Sequence, residues 1–341
     1  LGRIPVGALT DRFGGRVMFP IVSAATIVPV LYLGLAGHSS LAALLIGGFF
    51  LGIGGTAFAV GVPHVSGWYP PQRRGFAIGI FGIGMGGTAI SNFTTVKLSQ
   101  AYGAKTPFLL VAAVLAAYAV VAALFVRDAP DRQRPSTSAW ERTRAVARLT
   151  VTWQLCFLYA VGFGGFVAFS VYLPAYLRTS YHLTTNDAAL RTAGFVVLAV
   201  IARPVGGWLS DRFHPVPVLV ACFSGVAVFA VLQAFQPPLI PLATIAFLGM
   251  AGLLGAASGA VFALVGKVAP ADKVGTVTGV VGAAGGLGGF VPPLIMGWVY
   301  GVESSYAIGL MLLSDVALAA AVFTAVKMAG LARGPAVRPA Q

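Results

Sequence analysis

Arg3-Ile4-Pro5-Val6-Gly7-Ala8-Leu9-Thr10-Asp11-Arg12-Phe13 is answered 200 positions later by Arg203-Pro204-Val205-Gly206-Gly207-Trp208-Leu209-Ser210-Asp211-Arg212-Phe213. Arg, Gly, Leu, Asp, Arg and Phe coincide, and Thr10 pairs with Ser210. The same ungapped offset superposes Gly75, Gly79, Gly82 and Gly86 on Gly275, Gly279, Gly282 and Gly286, and Pro70 on Pro270. Two separate motifs rarely align at one offset by chance, so the chain reads as two repeats. In a membrane, parallel repeats are related by an axis along the bilayer normal.

Composition supplies the membrane. Hydrophobic residues make up 58% of the 341 positions and charged residues 9%. Soluble domains carry about 25% charged residues, so the solvent that suits this chain is lipid. Lys and Arg outnumber Asp and Glu, 22 to 9, for a formal charge of +13. A basic soluble protein would suggest nucleic acid, but here location excludes that partner. Arg12, Arg16, Arg73, Arg74, Arg127, Arg132, Arg134, Arg142, Arg144, Arg148, Arg212, Lys267, Lys273, Lys327, Arg333 and Arg338 fall in one alternate set of loops or in the tail. The opposite set holds Lys105, Arg178 and Arg191, with Lys97 near a helix end. Basic loops stay in the cytoplasm, so the reading is a multi-pass protein of the cell membrane with a cytoplasmic C-terminus. Cys156 and Cys222 are isolated in apolar stretches and read as small buried hydrophobes.

Apolar segments of about 20 residues recur near 17–36, 41–67, 75–98, 106–126, 151–177, 187–209, 216–235, 240–267, 275–299 and 305–328, after a partial one at 1–9. The polar stretch between the two sets reads as a solvated linker. The expected organisation is an N-terminal bundle at 1–127, a cytoplasmic linker at 128–149, a C-terminal bundle at 150–330 and a cytoplasmic tail at 331–341. A six-plus-six arrangement places one helix and part of another ahead of Leu1.

Arg3 and Arg203 each lie 8 residues before a motif aspartate. At 1.5 Å per residue that is about 12 Å of helix, near the middle of a hydrocarbon core about 30 Å thick. Arg at that depth costs about 2.5–3.5 kcal/mol on insertion scales and usually faces a pathway. Paired guanidinium forks match planar oxyanions. The competing reading, pairing with a buried carboxylate, has one mid-span candidate in Asp315, in the last helix. Gly75, Gly79, Gly82 and Gly86 step by 4, 3 and 4 and share one helix face; their repeat partners do the same. Glycine costs about 1 kcal/mol inside a helix, and close backbone approach is the usual compensation. On that basis Gly82, Gly86, Gly282 and Gly286 are either packing positions or bare walls along a small substrate's path.

Gly7-Ala8-Leu9-Thr10-Asp11-Arg12-Phe13-Gly14-Gly15-Arg16 resembles the loop motif G-x-L-x-D-R-x-G-x-R of the major facilitator superfamily, and Gly207, Asp211 and Arg212 carry the second copy. That resemblance implies two pseudo-symmetric six-helix bundles, all α-helical, rocking in alternating access, with the first helix and part of the second absent from this stretch. Gly7, Asp11, Arg12, Arg16, Gly207, Asp211 and Arg212 are its conformational hardware: the glycines admit a neighbouring helix, the aspartates accept from a helix N-terminus, and the arginines pair across the loop. Gly79-Ile80-Phe81-Gly82-Ile83-Gly84-Met85-Gly86-Gly87-Thr88-Ala89, Gly282 to Pro293, the two arginines and Ser66-Gly67-Trp68-Tyr69-Pro70-Pro71 together look like the nitrate/nitrite porter family. The resemblance implies that Arg3 and Arg203 bind nitrate or nitrite directly. It also implies that Tyr159 assists, and that Phe163, in Phe157-Leu158-Tyr159-Ala160-Val161-Gly162-Phe163, walls the cavity. The family commonly carries Asn within the first glycine motif, where this chain has Met85.

The partners expected are therefore a nitrate or nitrite anion and the lipid bilayer, for a single chain with no cofactor and no metal. Transport of an organic anion or drug is the alternative within the same fold, and a non-transporting membrane sensor a remote one. An enzyme is disfavoured, because His38, His64, His182 and His214 are scattered and form no ligand cluster or triad pattern. His64 reads as structural, Asp315 as buried beside a partner, and Trp68, Tyr69, Tyr172 and Tyr176 as interfacial aromatics.

Overall fold

A computed structural model describes residues 2–37, 40–69, 74–130, 139–269 and 273–332. Pro70, Pro71, Pro270, His38, Arg73, Arg132, Arg134, Arg333, Arg338 and most of the expected tail lie outside the described residues. Within them, ten helices are long and apolar enough to cross a membrane. In chain order the helices are α1 (Arg3–Phe13), α2 (Gly15–Leu35), α3 (Leu41–Leu51), α4 (Ala57–Trp68), α5 (Arg74–Gly82), α6 (Gly87–Tyr102), α7 (Thr106–Phe125), α8 (Ala139–Ala147), α9 (Thr150–Tyr181), α10 (Thr185–Phe213), α11 (Pro215–Ala234), α12 (Thr244–Val268), α13 (Val274–Glu303), α14 (Ala307–Phe323) and α15 (Ala329–Ala332).

Local chemistry sets the breaks. Gly54–Thr56 forms a 3-10 turn between α3 and α4, and Ile83–Gly86 another between α5 and α6, so each pair crosses the membrane as one interrupted helix. Both interruptions are glycine-rich, where helical backbone is least favoured. Ser40 caps α3 by accepting from the Ala43 N–H at 3.1 Å, and Thr184 caps α10 by accepting from the Asp187 N–H at 3.2 Å. Pro20, Pro29, Pro63, Pro174, Pro204, Pro292 and Pro293 sit inside helices, which a membrane bundle tolerates when neighbours re-satisfy the backbone.

The repeat has a structural image. The Thr10 hydroxyl donates to the Val6 carbonyl at 2.8 Å, and the Ser210 hydroxyl to the Gly206 carbonyl at 2.7 Å. Both chains turn sharply next, with φ 89° at Gly14 and 75° at His214. The motif Asp and Arg residues occupy the last turn of α1 and α10 instead of a loop, because the helices run on to Phe13 and Phe213.

Helices α9 to α14 pack on one another around a large core that includes Leu155, Phe195, Leu219, Phe223, Met250 and Leu254. In the first half α2 packs on α7 and α4 on α1, around a smaller core of Met18, Phe19, Val22, Val60 and Ala122. The halves join where α1 and α4 meet α13, and where α10 and α12 meet α5–α6. The offset of 200 exchanges these pairs. Outer faces carry exposed Phe49, Leu124, Phe125 and Trp298, as suits a lipid solvent.

Three sequence expectations change. The linker stretch contains helix α8, which lays buried Val146 into the core. Tyr176 is buried, since its hydroxyl accepts from Gln233 Nε2 at 2.9 Å within an internal cluster with Tyr181 and Tyr306. Asp315 is exposed on the outer face of α14, because the neighbouring Ser314 is the residue turned inward, donating to the Ala227 carbonyl at 3.0 Å.

Candidate substrate site between the two halves

Arg3 enters from α1 and Arg203 from α10, each set against the glycine helix of the opposite half. A Cβ built at Gly82 would lie 3.3 Å from the Arg203 Cζ, and one built at Gly282 would lie 3.9 Å from an Arg3 Nη1. Gly79, Gly82 and Gly86 face Pro204, Arg203 and Val200 in turn along α10. Gly286 lies 4.0 Å from Arg3 by the same measure. The glycine face thus serves packing and site at once: it brings a helix backbone onto each guanidinium.

The arginine anchors differ. Arg203 is 3% exposed. Its Nη2 donates to the Tyr159 hydroxyl at 3.2 Å, its Nη1 lies 3.1 Å from the Met85 sulfur, and its Cζ stands 5.1 Å above the Phe163 ring. Arg3 is only partly buried. It donates from Nε to the Gly55 carbonyl at 3.0 Å and from Nη1 to the Gly282 carbonyl, with its Cζ 5.5 Å from the Phe58 ring centre. The 3-10 turn explains the first of these: an interrupted helix leaves the Gly55 carbonyl available to an outside donor.

Aromatic rings connect the two charges. Phe58 lies 5.9 Å from Phe262, Phe262 lies 4.7 Å from Tyr159, and Tyr159 stacks on Phe163 at 5.0 Å with an interplanar angle of 3°. Gly285 permits that stack, since a Cβ there would come within 2.5 Å of the Tyr159 ring. The two guanidiniums and the Tyr159 hydroxyl lie within electrostatic reach of one another. Among the described residues neither arginine pairs with a carboxylate; Asp11 pairs with Arg142 at 2.8 Å and Asp128 with His64 at 3.5 Å. A guanidinium has five N–H donors, and the protein engages two nitrogens of each. The remainder can bind a small acceptor-only ligand, held between rings that exclude water.

Sequence reasoning missed Phe58, Gly55, Phe262 and the contact of Met85. Phe58 and Phe262 sit in α4 and α12, which the repeat makes equivalent, but four residues out of register. Four residues is about one helical turn, so a search allowing one-turn slips would have found them.

The motif residues find partners of several kinds. Asp11 accepts from the Arg142 side chain of α8 at 2.8 Å. Asp211 lies beside Lys267, whose ammonium reaches the Ser210 carbonyl at 3.4 Å. Arg12 and Arg212 lie over the rings of Phe13 and Trp208, at 5.3 and 5.8 Å, and not across the turn. Arg16 contributes its backbone N–H, which donates to Asp128 at 3.1 Å. Gly207 meets nothing within 4 Å of a built Cβ, and Gly7 only Ala59 at 4.0 Å. The close approach belongs instead to Gly206, where a Cβ would strike the Ala256 carbonyl, because helix periodicity turns Gly206 and not Gly207 onto α12.

Comparison with known proteins identifies the family. The model of the Major Facilitator Superfamily matches residues 1–293 and again residues 155–335. The chain is 51% identical over 327 residues to a probable nitrate/nitrite transporter, NarK2, of Mycobacterium tuberculosis, covering 95% of this chain and 83% of that protein. It is 40% identical over 319 residues to a nitrite extrusion protein of Bacillus subtilis, covering 93% and 79%. The crystal structure of the human organic anion transporter MFSD10 superposes with a TM-score of 0.76 over 94% of this chain and 80% of that one; at 14% identity it speaks for the fold alone. The chain belongs to the Major Facilitator Superfamily, and within it to the nitrate/nitrite porters.

Proposed function

We propose that this protein exchanges nitrate and nitrite across the cell membrane by alternating access of an N-terminal bundle (1–127) and a C-terminal bundle (150–330) in a single chain. In this reading the basic loops and the C-terminus face the cytoplasm. Arg3 and Arg203 hold the anion between the halves, Tyr159 orients Arg203, Phe163 and Phe58 wall the site, and Gly82, Gly86, Gly282 and Gly286 supply close backbone. The observation that carries the reading is a pair of intramembrane arginines, one per half, with no carboxylate partner among the described residues.

The mechanism follows from charge. Two like charges in a low dielectric repel, and a monovalent oxyanion between them offsets that repulsion. An empty site resists closure and an occupied one permits it, which makes the return step depend on a second anion. Exchange is therefore the mode that the charge balance favours. The test is nitrate uptake into proteoliposomes of the complete protein, loaded with nitrite or left empty. Uptake is expected only in the loaded vesicles. Wild-type flux persisting in both Arg3→Lys and Arg203→Lys variants would reject the two-arginine site.

A further inference from the structure

Between Arg3 and the end of the bundle that carries the basic loops lies a cavity of about 50 Å³, bounded by α1, α4, α8 and α13. Its polar lining is Arg3, Asp11, Arg142, Thr143 and Thr276. A smaller void of about 10 Å³ adjoins it, sharing Arg3, Ala59, Pro63 and Gly279 and reaching Phe58 and Gly282 of the central site. Nothing lies within 4 Å of a Cβ built at Gly279, so that wall is open. A line of space thus descends from the central arginine to the α8 helix. One water needs roughly 10–15 Å³ of such volume, so the larger cavity has room for a small oxyanion.

Its electrostatics suit that occupant. Arg142 reaches in from α8 and holds Asp11 through Nη2 at 2.8 Å. Its Nε–H is buried and meets no acceptor among the described residues. A buried donor left unpaired is unfavourable, and a ligand oxygen would relieve it. The cavity lining carries two guanidiniums against one carboxylate. Asp11 alone would repel an anion leaving Arg3, and Arg142 covers that charge.

We propose that this cavity is a second anion station, at which Arg142 and Arg3 hold nitrate or nitrite in transit between the central site and the cytoplasm; the proposal rests on the anion reading of the central site. The test measures half-saturating nitrate in inside-out and right-side-out vesicles of the complete protein. Arg142→Gln keeps a donor for Asp11 and removes the charge. It should raise half-saturation at the cytoplasmic face roughly tenfold, the loss of about 1.4 kcal/mol, and change the opposite face less than about twofold. Arg142→Lys keeps the charge and should lose less, which also covers the case where the glutamine variant folds poorly. An equal change at both faces makes Arg142 a structural tie and overturns the station, as does no change at either. Failure of the central reading looks different: nitrate flux would be absent in the wild type, or would survive in Arg203→Lys.

Discussion

Arg3 and Arg203 carry the same sequence signal and sit at equivalent points of the two halves, yet the protein holds them by different means. Arg3 is fixed by main-chain carbonyls, of Gly55 and Gly282, and keeps partial contact with open space. Arg203 is sealed in and held by side chains, the Tyr159 hydroxyl and the Met85 thioether. Backbone anchors survive any substitution that leaves the helix intact, whereas side-chain anchors do not. The thioether is moreover a weak acceptor, so Tyr159 carries most of the hold on Arg203. Repeat symmetry thus fixes where the charges stand, while each half decides independently how rigidly its charge is held and how easily it is disturbed.

The comparison breaks most visibly if the arginines themselves are changed. Arg203→Lys removes the paired-donor geometry at a position with no solvent to compensate. Lysine keeps the charge and loses the second hydrogen bond to the anion, worth about 1.5–3 kcal/mol for a charged group, so exchange rate over half-saturation should fall about a hundredfold. Arg3→Lys, at a partly open position, should fall less, by about tenfold. Equal losses would mean that the difference in burial has no functional weight.

The glycines sharpen it next. Gly82→Ala would place a methyl 3.3 to 3.6 Å from three guanidinium atoms of Arg203, whereas Gly282→Ala meets Phe58 and Arg3 at ordinary contact, 3.6 to 3.9 Å. The first should weaken nitrate binding by about tenfold, near the lower end of the 1–3 kcal/mol range for overpacking. The second should stay within about twofold, read by equilibrium binding to the purified protein. Tyr159→Phe removes one hydrogen bond to a charged group, worth about 1.5–3 kcal/mol when not replaced. Because the stack on Phe163 survives the change, half-saturation should rise about tenfold while the melting temperature moves little.

The smallest effect lies at the turns. Gly14 adopts φ 89° and ψ 164° freely, but His214 holds φ 75° and ψ 140° at the equivalent point, a conformation that strains a side-chain-bearing residue by about 1–3 kcal/mol. Its Nδ1 accepts weakly from the Val216 N–H at 3.4 Å. Burial, and secondarily Lys267, pushes its pKa below the ordinary imidazole value. A depressed folded pKa favours the neutral ring, so stability is full above the unfolded pKa and declines as pH falls below about 6.5. His214→Gly should remove the strain, raising stability by about 1 kcal/mol, and should flatten the acid side of a melting curve taken from neutral to mildly acidic pH. A variant that melts lower and keeps the acid sensitivity would place both effects elsewhere.

Some of this was legible in the chain before any coordinates. Apolar runs of membrane length, the offset of 200 and two arginines at matching depth depend on local periodicity and on the energetics of charge in lipid, which a sequence states directly. The glycine face of the fifth span was legible too, and Met85 stood out as a departure within it, but the 3-10 break at Ile83–Gly86 was not. Tertiary structure alone decided what the site residues touch. That Arg3 takes the Gly55 carbonyl, that Asp11 pairs with Arg142 from a segment reading as solvated linker, and that Gly206 makes the approach expected of Gly207 all depend on helix rotation. Rotation is set by the sum of many packing contacts across elements far apart in the chain, and neighbouring residues on a helix point about 100° apart. A sequence motif fixes depth along the membrane; only the packed bundle fixes direction around the axis, and direction determines which partner a buried charge finds.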